Sequence, residues 1–170
     1  MEYRVIKKQY NGTLCYVCGI HNDHGIQAQF YQLENDHVVG IFKPEEHHQG
    51  YPGIMHGGLS AAMLDETIGR SIQAANENTW WMTIELTTKY LKPVPLYKKL
   101  YCVGYLTKKT SRIFTGEGYI YDEDDNIYVT ATSKYIIKDL DQIVQTENFV
   151  KEQWFFVKDD EDIKTLKVPK

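Results

Sequence analysis

The chain has 170 residues, of which 42% are hydrophobic and 25% charged, a balance typical of one ordinary globular domain. Its net charge of −4 argues against a general nucleic-acid-binding protein, which needs a basic surface to neutralise phosphates. No segment stays apolar over the roughly 20 residues of a membrane-spanning helix, and residues 1–4 do not open a secretory signal. Three cysteines, Cys15, Cys18 and Cys102, cannot all pair in disulfides, so we expect a reducing, cytoplasmic location.

The first part of the chain predicts a polar lead-in and then a β-hairpin. Residues 1–12 are the lead-in, with a short helix as its candidate element. Residues 26–34 and 37–42 alternate apolar and polar side chains, and the polar turn at Asn35-Asp36 joins them. The following stretch, 43–55, contains several prolines and glycines, which predict an irregular loop.

One strong helix follows, over residues 58–75. This segment contains no proline and is rich in Ala, Leu, Met and Ile. A helix over these residues would be apolar on most of its sides. Such a helix is expected to be buried rather than to lie on the surface.

The remainder of the chain predicts four strands and an acidic tail. The strands cover 81–91, 100–106, 113–121 and 127–137, with a polar turn at 122–126 between the last two. Residues 139–170, which carry eight acidic residues between Asp139 and Asp162, are expected to form a C-terminal extension and not a separate domain.

This order of elements predicts a single α+β domain over residues 1–138, in which a curved antiparallel sheet wraps one central helix. A sheet of this size must cover its apolar face, and one buried helix can do so. Its edge strand would remain exposed, and pairing with a second copy of the chain is a common remedy.

The residues that indicate chemistry stand at the start of the predicted helix. Gly57 and Gly58 follow His56 and allow a close approach of the backbone to a ligand. The first N–H groups of a helix have no partner inside it and lie at the positive end of its dipole. They therefore suit the developing oxyanion of a polarised carbonyl group.

Asp65 lies about two turns further along the same helix. A carboxylate among apolar neighbours is costly unless it is paired, and burial raises its pKa. A general base or a carboxylate nucleophile is one reason to keep it there, and a structural pairing with a backbone N–H or a lysine is the other. Glu66 stands four residues before Arg70, so an i,i+4 ion pair is its expected role.

These residues resemble a known family. His56-Gly57-Gly58 with Asp65 nine positions after the histidine is similar to the hotdog-fold thioesterases of the phenylacetate-degradation (PaaI) type, in the 4-hydroxybenzoyl-CoA thioesterase superfamily. Further similar segments are Cys15-Tyr-Val-Cys18-Gly19 with Asn22, Gly25 and Ile26, then 49–53, and the strand from Thr83 to Pro93. The resemblance covers about residues 15–137 and leaves the acidic tail outside.

The resemblance implies an acyl-CoA thioesterase that releases a free acid and CoA from small to medium, aliphatic or aromatic acyl-CoAs. It implies Asp65 as base or nucleophile, the Gly57 or Gly58 N–H as the oxyanion hole, and Thr83 as a residue that reaches the partner subunit's site. His56 or Gln49 would add a donor to the carbonyl. Homodimers, or homotetramers as dimers of dimers, would carry the sites at their interface. No metal or cofactor is required.

Two further sets of residues have competing interpretations. Lys108, Lys109, Arg112 and Tyr90 are candidate contacts for CoA, and the alternative is an exposed, solvated strand face. Cys15, Cys18, His21 and His24 have the ligand types of a zinc site, but their spacing is tighter than usual, so packing of the cysteines as small apolar residues is favoured.

Two other functions stay open at this point. An acyl-thioester dehydratase on the same fold would need a histidine and a carboxylate that act together. His56 instead lies between an irregular loop and two glycines, a position that suits an oxyanion loop better. A non-catalytic acyl-CoA-binding protein would not need a buried carboxylate, so Asp65 argues against it.

Overall fold

The computed structural model describes residues 1–145, 148–159 and 162–170. The helices are α1 (Gly57–Arg70), α2 (Ile72–Ala75) and α3 (Phe149–Gln153), with short 3-10 turns at Glu46–His48 and Leu140–Gln142. The strands are β1 (Glu2–Lys8), β2 (Asn11–Gly12), β3 (Gln29–Leu33), β4 (Val38–Phe42), β5 (Gln49–Tyr51), β6 (Ile54–Met55), β7 (Trp80–Tyr90), β8 (Leu100–Lys109), β9 (Ile113–Tyr121), β10 (Ile127–Lys138), β11 (Trp154–Phe155) and β12 (Thr165–Lys167).

Eight of these strands form one antiparallel sheet in the order β12-β1-β3-β4-β8-β9-β10-β7. Helix α1 lies across the concave face, where Met63, Leu64 and Ile68 are completely buried. This is the hotdog fold expected from the sequence, and the predicted hairpins, the central helix and the four later strands are confirmed within a few residues. The helix is interrupted at Ser71, whose hydroxyl donates a hydrogen bond of 2.6 Å to the Ile68 carbonyl oxygen.

Two glycines let the helix approach the sheet closely. Gly104 in β8 and Gly118 in β9 are register partners beneath α1. A Cβ atom on Gly104 would come within 2.7 Å of the Ile68 Cα atom, and one on Gly118 within 2.9 Å of the Ile68 Cγ1 atom. Larger residues here would push α1, and the side chains it carries, away from the strands.

The N-terminal segment is a strand, so the expectation of a polar lead-in with a short helix is wrong. In β1 the register pairs Val5 with Leu33 and Lys8 with Tyr31 of β3. Tyr3 and Val5 pack against a second apolar cluster on the outer face of the sheet. Strand β1 is stabilised by pairing with strands on both sides. The local sequence pattern cannot show this pairing.

The end of the acidic tail belongs to the sheet, so a C-terminal extension outside the domain is not what the structure shows. Strand β12 pairs with β1, and Leu166 and Val168 are buried in the outer cluster with Tyr121 and Val103. The Tyr121 hydroxyl donates to the Lys167 carbonyl oxygen at 2.8 Å. Residues 146–147 and 160–161 of the predicted extension lie outside the described residues.

In the described part of the chain, no helix combines the length and the apolar character needed to cross a membrane.

Candidate active site

The N-terminus of α1 is capped by the side chain of His56. Its Nδ1 atom accepts a hydrogen bond of 3.0 Å from the Gly58 N–H, so the neutral ring carries its proton on Nε2. The Gly58 N–H is therefore used inside the protein. Among the described residues the Gly57 N–H has no acceptor, which leaves it as the backbone donor at the positive end of the helix.

A cleft of about 490 Å³ opens in front of this helix end, and we call it the His56 cleft. Tyr90 closes one side, and its hydroxyl donates a hydrogen bond of 2.8 Å to the Gly57 carbonyl oxygen. The residues lining the cleft are Gly50, Tyr51, Ile54, Met55, His56, Gly57, Ser60, Tyr90, Leu91, Lys92, Pro93 and Val94. Gln49 is exposed on β5 and is not among these lining residues, but it is the register partner of Met55, directly before His56.

Asp65 is partly buried on α1 and is held by Thr83 of β7. The Thr83 hydroxyl lies 3.0 Å from the Asp65 Oδ1 atom and 3.1 Å from its Oδ2 atom. Burial raises the pKa of Asp65; the Thr83 hydrogen bond lowers it in part, and the charge of Glu66 raises it further. A carboxylate with this environment is poised to take up a proton or to attack a carbonyl carbon.

Tyr135, a residue that the sequence did not single out, fixes the backbone at Asp65. Its hydroxyl donates to the Asp65 carbonyl oxygen at 2.8 Å, and its ring stacks on Phe114 with centroids 4.7 Å apart. The only sequence signal for it is its place in the apolar alternation of β10. Nothing in that pattern identifies the helix residue on the opposite side.

Within one chain, the N-terminus of α1 and Asp65 lie far apart along the helix. Gly57 and Asp65 are eight residues apart in a continuous helix, which corresponds to about 12 Å along its axis. A single thioester carbonyl cannot touch both groups of the same chain. Thr83, which the resemblance implies reaches the partner subunit's site, bonds to Asp65 of its own chain.

The remaining charged residues of α1 behave as expected. Arg70 Nε donates to Glu66 Oε1 at 2.8 Å, which confirms the i,i+4 ion pair. Arg70 is completely buried, and its guanidinium carbon lies 4.1 Å from the ring centroid of Phe30.

The basic residues Lys108, Lys109 and Arg112 are exposed at the turn between β8 and β9. Lys109, Phe114, Tyr135 and Thr83 are register partners across β8, β9, β10 and β7. Cross-strand partners share a face of the sheet, so Lys109 points to the helix side at about three strand spacings, or about 14 Å, from Thr83. The basic turn therefore lies at the same end of the sheet as Asp65, away from the His56 cleft of its own chain.

Cys15 and Cys18 lie close to Glu66 rather than to the two histidines of the candidate zinc set. Their ligand atoms are within 4.8 Å of one another, and within the described residues neither His21 nor His24 joins this group. Both cysteines are free. The sequence could not indicate Glu66, which is far away along the chain.

Comparison with known proteins points to one family. Residues 52–129 match the thioesterase superfamily. Acyl-coenzyme A thioesterase THEM4 of mouse is 32% identical over 110 residues, which cover 64% of this chain and 46% of the mouse protein. The rat protein of the same name is 30% identical over 116 residues, covering 68% of this chain and 49% of its own length. The chain thus spans about half the length of the curated relatives it matches.

Solved structures share the fold of this chain. A protein described as a thioesterase superfamily member superposes with a TM-score of 0.66 and 29% identity, over 72% of this chain and 60% of its own. A Haemophilus influenzae thioesterase reaches a TM-score of 0.64 at 13% identity, over 76% of this chain and 90% of its own, which shows the shared fold. A Streptococcus mutans protein solved with acetyl-CoA reaches 0.56 at 17% identity, over 61% and 82%.

Proposed function

We propose that this chain, whose residues 52–129 belong to the thioesterase superfamily, hydrolyses acyl-CoA thioesters to a free acid and CoA. The observation that carries the proposal is the pair of groups on α1: the free Gly57 N–H at its positive end and the desolvated Asp65 bound by Thr83. The first group stabilises an oxyanion, and the second activates water or attacks the carbonyl. Such a pair suits acyl transfer, whereas simple binding does not need a desolvated carboxylate.

The two groups meet when two copies of the chain associate. Strand β7 is the end strand of the sheet, and its Met82 and Ile84 side chains are 49% and 51% exposed. A second copy paired along β7 by a twofold axis brings the helices together with opposite directions. Gly57 of one chain then faces Asp65 and Thr83 of its partner, and each dimer has two sites. Dimers that pair again into tetramers would keep these sites.

The reaction follows from the placement of these groups. The Gly57 N–H, with the Nε2–H of His56 as a second donor, receives the thioester oxygen as the carbonyl becomes tetrahedral. Asp65 either removes a proton from the attacking water or attacks the carbonyl carbon to form an anhydride that water opens. Thr83 orients the carboxylate or the water. The C–S bond breaks, and the CoA sulfur leaves as a thiolate that takes up a proton.

The CoA moiety is assigned to the basic end of the sheet. Lys108, Lys109 and Arg112 are exposed there and form no ion pair with any described residue. Their positive charges suit the phosphates of CoA. Because the chain as a whole is acidic, such a basic site would attract phosphates to this place on the surface. Tyr90 lines the His56 cleft, and its hydroxyl donates to the Gly57 carbonyl oxygen. We propose small to medium acyl groups, as in the PaaI type, and a cytoplasmic location in which the cysteines stay reduced.

Replacing Gly57 by proline tests the proposal, because proline removes the N–H; it also adds a ring beside Tyr90, for which a control is needed. Gly57 is the first residue of α1, where proline is well tolerated, and the ψ of 132° at His56 suits a residue before proline. We expect Gly57→Pro to lower kcat by about a hundredfold to a thousandfold. Free thiol release would be followed with aliphatic and aromatic acyl-CoAs.

Gly57→Ala is the matched control. It adds a Cβ atom at the same place, 3.2 Å from the Tyr90 ring, but keeps the N–H. We expect it to retain most of the activity. Equal activity of the two variants would exclude the Gly57 N–H as an oxyanion donor. Acyl-CoA binding by the wild type without thiol release would indicate a binding protein, and loss of water from a 3-hydroxyacyl-CoA would indicate a dehydratase.

A further inference from the structure

We propose that Cys15, Cys18 and Glu66 form a binding site for a thiophilic divalent cation, for which Zn²⁺ is the best match. Two thiolates and a carboxylate are a ligand set that zinc prefers. The three ligand atoms already lie within 4.8 Å of one another. Two sulfur atoms on a tetrahedral zinc ion are about 3.8 Å apart, so side-chain shifts of about 1 Å suffice to close the site.

The loop that carries the cysteines is shaped to present two sulfur atoms on one side. The Cys18 N–H donates to Cys15 Sγ at 3.4 Å, and the Gly12 N–H donates to Cys18 Sγ at 3.3 Å. The turn closes through the Gly19 N–H, which bonds to the Cys15 carbonyl oxygen at 2.8 Å. A Cβ atom at Gly19 would come within 2.3 Å of that oxygen, so this tight turn requires glycine. These two backbone donors hold both sulfur atoms in defined positions.

Glu66 supplies the third ligand from a different element. Arg70 holds its Oε1 atom at 2.8 Å and fixes the orientation of the carboxylate, which leaves Oε2 as the ligand. The Arg70 guanidinium is completely buried, and its Nη2 atom has no acceptor among the described residues. Two thiolates, one carboxylate, one guanidinium and one divalent cation sum to zero charge, which makes the group acceptable in a buried place.

The three ligands leave a fourth position open. Cys15, Cys18 and Glu66 line a cavity of about 380 Å³ whose walls include Trp80, Trp81 and Trp154. Three protein ligands with a water molecule or another small ligand in the fourth position complete a tetrahedral zinc site. The cation would connect the cysteine loop to the turn of α1 that carries Asp65. This departs from the expectation that no metal is bound and from the candidate set that included His21 and His24.

Metal binding itself is the test, independent of hydrolysis. The full chain would be produced in zinc-supplemented medium, purified without chelator in a non-coordinating reductant, and assayed for zinc by mass spectrometry. Cobalt exchange would follow. We expect stoichiometric zinc, about one ion per chain, together with the sulfur-to-cobalt charge-transfer bands and the visible bands of tetrahedral Co²⁺.

Cys15→Ser and Glu66→Gln test the ligands, and Cys102→Ser is the matched control. Cys15 is half-buried, so its serine variant should fold, whereas Cys102 is completely buried beneath α1 with its sulfur 3.8 Å from the Met63 carbonyl oxygen. Loss of a ligand should weaken cobalt binding by at least about a hundredfold, with no change for Cys102→Ser if circular dichroism shows it folded. Equal affinity of the wild type and Cys15→Ser, or reduced wild-type protein that takes up neither ion, would overturn the proposal.

Discussion

Asp65 shows how one side chain couples the chemistry of the site to the stability of the fold. Its carboxylate is partly buried on α1 and accepts a hydrogen bond from the Thr83 hydroxyl. Desolvation raises its pKa above the ordinary aspartate value, which makes the ionised form costly in the folded state. A reactive carboxylate of this kind lowers stability in exchange for reactivity.

The substitution Asp65→Asn should therefore separate activity from stability. We expect thiol release to fall by about a hundredfold or more, because a general base or nucleophile is lost. Melting temperatures at neutral pH should rise, since asparagine carries no buried charge and can still accept the Thr83 hydrogen bond. Thermal melts and thiol-release assays of the two proteins measure both effects. Full activity in the variant would exclude Asp65 from the reaction.

The pH dependence has a defined sign. Because the pKa of Asp65 is higher in the folded than in the unfolded chain, the folded state holds the proton over the interval between the two values. The wild type should lose stability as pH rises through the raised pKa, and Asp65→Asn should lack this step. Wild-type kcat/KM should fall as pH drops through the same raised value.

Strand β7 is the element on which the proposed dimer depends. It pairs with β10 on one side only, and its free edge carries the exposed apolar residues Met82, Ile84 and Tyr90. The register shifts between Thr83 and Glu85, so Ile84 is the extra residue of a bulge. An exposed apolar edge next to Thr83 is costly for a monomer, and a second β7 would cover it.

A charge on this edge should dissociate the proposed dimer while the fold remains. We expect Ile84→Lys to give a folded monomer in light scattering with less than a tenth of wild-type activity. Ile6→Lys is the matched control, because Ile6 and Ile84 are both 51% exposed and Ile6 lies on β1, far from β7 in the strand order. Monomers that keep full activity would contradict a shared site.

At the scale of the whole molecule, the length of α1 is the reason why the proposed reaction uses a site shared by two chains. About 12 Å of helix separate Gly57 from Asp65, whereas the two groups must act on adjacent atoms of one thioester. Two antiparallel copies of α1 remove this separation. The isolated chain would then carry two incomplete half-sites.

Mixing two inactive variants tests this arrangement. A heterodimer of Asp65→Asn and Gly57→Pro has one site with both substitutions and one site with neither. Random exchange gives about half heterodimers, so we expect the mixture to recover about a quarter of wild-type activity. Each variant incubated alone is the control. No recovery after verified subunit exchange would indicate sites within single chains.

The sequence by itself determined the local features of this protein. The apolar stretch before and after Asp65 predicted α1, alternation predicted the strands from β7 to β10, and His56-Gly57-Gly58 identified the helix end that carries the free N–H. Each of these depends on neighbours within a few residues, which is the range over which helix capping and strand alternation act.

Only the tertiary structure decided which distant residues meet. It placed Thr83 on Asp65 of its own chain, made strands of residues 2–8 and 165–167, and brought Glu66 to Cys15 and Cys18. The strands at the two ends of the chain are stabilised by each other and by the outer cluster, which no local pattern contains. Contacts between distant segments depend on how the sheet curves around α1, and that is a property of the packed molecule.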